Sequence, residues 1–214
     1  MPPQEPPENY GGTPNFHHLE AGTVLYRIHD GNRTAADFSD RLARSPFKGG
    51  RFDSVPGHEY RYWYAGTNQT TAVAERLLRD IPFGSTDHRF LPRAELAGRV
   101  LSTVETTVDL TLVSLIESKD LAAVCQDTWL VHSGAYAETR YWGQWLRRQA
   151  TDAAGFIWQS RYDIPHSSLV LFGDRCDAKN VLACPPDDSF ALDTPAGIAR
   201  LNVLLEPYNA SIEP

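Results

Sequence analysis

Between residues 23 and 205 the apolar positions keep changing period, and this alternation limits the fold more than any other property of the chain. In Thr23-Val24-Leu25-Tyr26-Arg27-Ile28-His29 the spacing is two: Val24, Tyr26 and Ile28 share one face of a strand, and Leu25, Arg27 and His29 the other. Ala35, Phe38 and Leu42 return at helical spacing as far as Ser45-Pro46, where proline ends a helix. Phe47-Lys48-Gly49-Gly50-Arg51-Phe52 reads as a turn and Tyr62-Trp63-Tyr64-Ala65 as a short aromatic strand. Thr70 or Thr71 is placed to cap a helix whose stripe is Ala74, Leu77, Leu78 and Ile81, stopped by Pro82. Residues 96–101 and 108–115 read as strands; Leu121, Val124 and Cys125, then Trp142, Trp145 and Leu146, mark two amphipathic helices. Phe156-Ile157-Trp158-Gln159-Ser160 and Leu169-Val170-Leu171-Phe172 are strands again, the second buried on both faces. Thr194-Pro195 opens a last helix carrying Ile198, Leu201 and Leu205. With no repeat and no linker inside 21–206, the pattern predicts one mixed α+β domain. Residues 1–20, Pro-rich and polar, read as a flexible arm, and 207–214 as a C-terminal tail.

Size and charge narrow the function. A chain of 214 residues buries roughly 70% of the surface it exposes when unfolded, enough for one core. No run approaches the ~18 apolar residues of a membrane span, and the first residues lack the basic flank and apolar stretch of a secretory signal. Cys125, Cys176 and Cys184 are an odd count without metal or disulfide spacing and read as core fillers in a protein of the reducing cytoplasm. The net charge of −7 resides in the ends: residues 31–179 carry 18 cations and 18 anions. Without a basic stripe, direct nucleic-acid binding is disfavoured, since it runs on phosphate neutralisation. Arginine outnumbers lysine 17 to 3; a GC-rich genome explains that, and so does the gripping of phosphates by planar forks.

Generic chemistry motifs are missing: there is no G-x-S-x-G elbow, Walker loop, G-x-G-x-x-G or H-E-x-x-H. His17-His18 read as a solvated pair rather than a metal site, and His132-Ser133 has no nucleophile turn around it.

Four segments in order carry more. They are Leu25-Tyr26-Arg27; Gly49-Gly50-Arg51-Phe52; Tyr64-Ala65 followed by Ala72-Val73-Ala74-Glu75; and Gly155-Phe156-Ile157-Trp158-Gln159-Ser160-Arg161 followed by Leu169-Val170-Leu171-Phe172. This series, over roughly 23–184, resembles the RES domain family. The resemblance implies a fold similar to ADP-ribosyltransferases, with small twisted sheets flanked by helices. It implies a bacterial toxin that degrades NAD+, as a phosphorylase with inorganic phosphate as co-substrate or as a glycohydrolase with water, with no resident cofactor or metal, neutralised by an antitoxin with an Xre-like DNA-binding domain. By position it makes Arg27, Glu75 and Ser160 the catalytic residues, and Arg51, Tyr64, Gly50, Trp158 and Arg161 the substrate-binding ones. The stretch Arg161-Tyr162-Asp163-Ile164-Pro165-His166-Ser167-Ser168 departs from the family's glycine-rich segment with an asparagine.

The residue types suit that chemistry. Cleaving the nicotinamide–ribose bond passes through an oxocarbenium-like state, and the leaving pyridine is neutral and needs no acid. A carboxylate beside the sugar and guanidiniums on the diphosphate are what help: Glu75 is placed for the first, Arg27 and Arg51 for the second. Tyr64 offers a ring face, Ser160 a hydroxyl, and Gly49-Gly50 a backbone that approaches closely without a Cβ. Each also fits a structural role: Arg27 in solvent, Glu75 in a surface pair with Arg79, Arg51 as a turn residue, Tyr64 and Trp158 as core aromatics, Ser160 as packing. Two other functions stay open: a mono-ADP-ribosyltransferase acting on a protein, and a non-catalytic nucleotide- or partner-binding module. Ile198, Leu201, Leu204 and Leu205 are candidates for a partner or homo-oligomer surface.

Overall fold

The computed structural model describes all residues except 1–4, 47, 82, 84–87, 177–179 and 186–187. Its strands are β1 (Phe16–Leu19), β2 (Val24–Asp30), β3 (Tyr62–Gly66), β4 (Arg89–Leu91), β5 (Arg99–Thr106), β6 (Leu110–Leu115), β7 (Gly155–Gln159), β8 (Ser167–Phe172), β9 (Leu182–Ala183), β10 (Ser189–Ala191) and β11 (Ala210–Ile212). The helices are α1 (Gln69–Val73), α2 (Ser118–Ala123), α3 (Trp129–His132), α4 (Tyr136–Gln149) and α5 (Pro195–Leu205). Nine strands form one sheet in the order β1-β6-β7-β8-β3-β2-β5-β10, with β9 beside β5; β4 and β11 make a separate parallel pair. In the large sheet β6 and β7 alone run parallel among the described residues. Such neighbours need a crossover connection, which α2, α3 and α4 supply.

This is the mixed α+β domain that the changing period predicts. On β7, Phe156 and Trp158 enter a core shared with Trp142, Trp145 and Leu146 of α4, while Ile157 enters the opposite one with Leu25, Trp63 and Leu171. Strand β8 feeds both cores and is buried along most of its length. A third core joins Ile28 of β2 to Val73 of α1, to Leu77 and Leu78 just after it, and to Leu201 and Leu205 of α5.

Several expectations need correction. Residues 35–45 form no helix and touch the sheet through the bridge between Ser39 and Tyr62. The Ala35 carbonyl, which a helix would bond to an amide four residues on, instead accepts from Arg27 Nη1 (2.9 Å) and Trp63 Nε1 (2.7 Å). Part of the expected arm is structured: β1 pairs with the free edge of β6 and buries Leu19, and the Tyr10 ring meets Trp145 edge-on at 4.9 Å. His17 and His18 therefore lie on an edge strand. The expected tail holds β11, with Ala210 and Ile212 buried. The expected strand over 96–101 begins only at Arg99, behind a 3-10 turn at Arg93–Leu96. Cys125 and Cys184 are exposed, so they fill no core; Cys176 is half-buried. Helix α5 starts as expected, with the Thr194 hydroxyl accepting the Gly197 amide at 3.0 Å and Pro195 in its first turn. Leu201 and Leu205 are fully buried, and Ile198 and Leu204 pack against the same core, so this stripe faces inward rather than toward a partner. Pro82 and Phe47 lie outside the described residues.

Candidate active site

The site is built around the end of α1. Its cap is Asn68, not Thr70 or Thr71: the Asn68 side chain accepts the Thr71 amide at 2.7 Å from an extended backbone, satisfying one of the helix's orphan donors. After one turn the helix widens into a π-turn at Ala74–Leu78, which carries Glu75. Single π-turns interrupt regular packing and recur at functional sites.

Glu75 Oε1 accepts a hydrogen bond from Ser160 Oγ at 2.7 Å. Ser160 is fully buried just beyond β7, and its oxygen also accepts the amides of Tyr162 (3.2 Å) and Asp163 (3.1 Å). Every bonding capacity of that hydroxyl is thus used within the protein, and its job is to hold the carboxylate. Burial pushes the Glu75 carboxyl above the usual range; the Ser160 bond and the charges of Arg51 and Arg79 oppose the shift. The expected Glu75–Arg79 surface pair does not form: Arg79 pairs with Asp80 at 3.2 Å and lies over the Tyr136 ring.

Glu75 lines a cavity of about 610 Å³, within the range of small-molecule sites. Arg27, Gly50, Arg51, Tyr64 and Trp158 line the same cavity, so six of the eight sequence-derived candidates share one space. Arg27 is held from its strand by donating Nη1 to the carbonyls of Ala35 (2.9 Å) and Asp37 (2.7 Å), with its guanidinium 5.4 Å from the Trp63 ring centre. Burial lowers its pKa to about 10, which leaves it charged at neutral pH. Arg51, 7% exposed, donates Nη1 to the carbonyls of Leu130 (2.9 Å) and Ser133 (2.8 Å) and lies over the Tyr136 ring. Burial lowers its pKa as well, against the charge of Glu75. Each arginine spends one nitrogen on anchoring, which fixes the fork without consuming it.

The turn before Arg51 is glycine for internal reasons. Gly49 has φ +99°, and a Cβ on Gly50 would stand 2.5 Å from Asp53 Oδ1 and 2.9 Å from the Tyr64 hydroxyl, so the close approach is to the protein rather than to a ligand alone. Asp53 accepts the Gly50 amide, and the Tyr64 hydroxyl accepts the Phe52 amide at 2.8 Å. Trp158 is buried, edge-on to Tyr64 and Phe52. Two candidates are not on the cavity wall: Ser160 reaches it through Glu75, and Arg161 is exposed, donating to the His132 carbonyl at 2.7 Å.

Residues not foreseen complete the wall: Arg41, Arg44, Lys48, Arg76, Arg79 and Tyr136. With Arg27 and Arg51 the lining carries seven cations against Asp53 and Glu75, inside a protein of net charge −7. Such a concave positive surface concentrates anions. The excess of arginine was its only signal in the sequence. No group of three or more His, Cys, Asp or Glu side chains gathers to hold a metal among the described residues.

The family model of the RES domain matches residues 24–193. The chain belongs to the RES domain family. A search of curated proteins returned no match. Among solved structures, this RES fold is similar to a chain of the crystal structure of the M. tuberculosis MbcT–MbcA toxin–antitoxin complex, with a TM-score of 0.60 and 18% identity over 87% of this chain and 92% of that one. At that identity the likeness concerns the fold.

Proposed function

We propose that this RES protein is the toxin of a toxin–antitoxin pair and that it destroys NAD+, with inorganic phosphate as the acceptor. The observation that carries the reading is the Ser160-held Glu75 carboxylate on the wall of a cavity where seven cations face two carboxylates. Membership of the RES family and the fold shared with a chain of a toxin–antitoxin complex support it.

In this mechanism Arg27 and Arg51 grip the diphosphate through the nitrogens they do not use for anchoring, by charge-assisted bonds. Tyr64 and Trp158 wall the nicotinamide. The ribose–nicotinamide C–N bond breaks, its electron pair goes to the pyridinium nitrogen, and nicotinamide leaves neutral. Glu75 stabilises the cationic sugar as it develops, at a position fixed beforehand by Ser160; charge set in place before the reaction is commonly the main source of an enzyme's rate enhancement. A phosphate oxygen then bonds the anomeric carbon, giving ADP-ribose 1-phosphate. The cationic wall favours both the dinucleotide and this second anion. An antitoxin with an Xre-like domain is the proposed neutralising partner.

Induced expression tests the biological half. Cells making the wild-type chain stop growing as their NAD+ pool falls, and cells making Glu75→Gln grow normally. Growth arrest with an undiminished NAD+ pool contradicts the reading.

A further inference from the structure

Three residues past Ser160 lies a carboxylate that the proposed chemistry does not use. Asp163 is 6% exposed. Its Oδ2 accepts from the Thr71 (2.6 Å) and Thr70 (2.9 Å) hydroxyls, which also lie within 2.7 Å of Asn68 Oδ1. Its Oδ1 accepts from the Tyr208 hydroxyl at 2.5 Å and lies 3.2 Å from His166 Nδ1. Burying a carboxylate is costly unless its lone pairs are filled. Here burial raises the carboxyl, and the bonds from Thr71, Tyr208, His166 and Thr70 outweigh it, holding the group below its ordinary range.

These contacts close a ring. Thr71 and Glu75 are four residues apart on one continuous helical segment, and Ser160 and Asp163 lie on one short loop, joined by the Asp163 amide on Ser160 Oγ. The Glu75–Ser160 bond spans helix and loop at one point, and the Asp163–Thr71 bond spans them at another. Tyr208 ties the same carboxylate to the segment after α5. Two bridges between the same pair of segments fix their separation, as one alone does not. We infer that Asp163 is a positioning residue that sets where Ser160 holds Glu75 in the cavity, with the C-terminal segment as its second anchor. This rests on reading Glu75 as the reacting carboxylate.

Asp163→Asn keeps the volume but loses the second acceptor and the charge, and Tyr208→Phe removes a single bond. Two measurements on the full chain judge them: turnover of NAD+, and the titration midpoint of Glu75 by carboxyl 13C NMR, assigned with Glu75→Gln. In Asp163→Asn the expectation is a kcat lower by about tenfold or more with KM changed less than about threefold, the pattern of a misplaced reacting group. The Glu75 midpoint moves upward, because the bond from Ser160 that favours the ionised form is lengthened while Arg51 and Arg79 stay in place. Tyr208→Phe shifts both quantities in the same direction and by less. Unchanged Glu75 titration in both variants overturns the inference, whatever happens to unfolding. Should the wild type leave NAD+ intact, the function falls and the NMR midpoint still decides the positioning role.

Discussion

Glu75 and Ser160 form a bonded pair of which only Glu75 lines the cavity. The folded chain holds the Glu75 proton to higher pH than the unfolded chain does. The ionised carboxylate is therefore a cost to folding above that raised value and no cost below the ordinary glutamate range. Glu75→Gln should be at least as stable as wild type at pH 7 in urea unfolding, with any gain fading as pH falls through that window; a clear loss at pH 7 would refute this. The same variant should lose on the order of 10²–10³ in kcat, the scale of removing one preorganised charge. Turnover by the wild type should fall on acidification at a pH above the usual glutamate value of about 4.3, since the carboxylate must be ionised to work. Arg51→Lys keeps the charge but not the fork, and should raise KM for NAD+ by about 10-fold, the worth of a hydrogen bond to a charged group. The convergence of Arg27, Arg51, Tyr64 and Glu75 on one cavity was legible because ordered motifs flag positions whose partners are far apart in sequence. The commitment of Ser160 was not: a strand pattern shows which face a hydroxyl takes, not how many amides it serves. Helical spacing misleads at Arg79, which it sets beside Glu75, whereas the π-turn and the Tyr136 ring draw the side chain elsewhere.

At the level of elements, strands β2, β3, β7 and β8 and helices α4 and α5 follow from periodicity, because their burial is decided by their own apolar faces. Residues 35–42 mimic a helix for a tertiary reason: Ala35 and Phe38 fill space against Trp63, and the Arg27 and Trp63 side chains take over the Ala35 carbonyl. Strand β1 was invisible because His17 and His18 carry no apolar alternation; its formation depends on the edge that β6 offers. Helix α5 shows the opposite ambiguity, since a core stripe and a docking stripe read alike. Leu201 has no exposed surface, so Leu201→Ala should cost about 2–5 kcal/mol in urea unfolding and leave the oligomeric state unchanged. A change in oligomer size with stability preserved would restore the docking role to this helix.

Over the whole molecule, a chain of net charge −7 folds so that seven cations line one cavity. Attraction of an anionic substrate into such a site is screened by salt, whose Debye length falls from about 10 Å at 0.1 M to about 3 Å at 1 M. KM for NAD+ should therefore rise as sodium chloride is increased over that range while kcat changes little, and a salt-independent KM would show that the cationic wall does not serve the substrate. No helix among the described residues is long and apolar enough to cross a membrane. The family was legible from four short segments because they mark the same cavity from β2, the glycine turn, the π-turn and the end of β7. The acceptor is a property of the open space between them, which no residue string encodes. Incubating the purified chain with NAD+, with and without inorganic phosphate, and following the products by 31P NMR addresses that space directly. The account predicts nicotinamide release and an ADP-ribose 1-phosphate resonance only when phosphate is present; NAD+ left intact in both samples would contradict it.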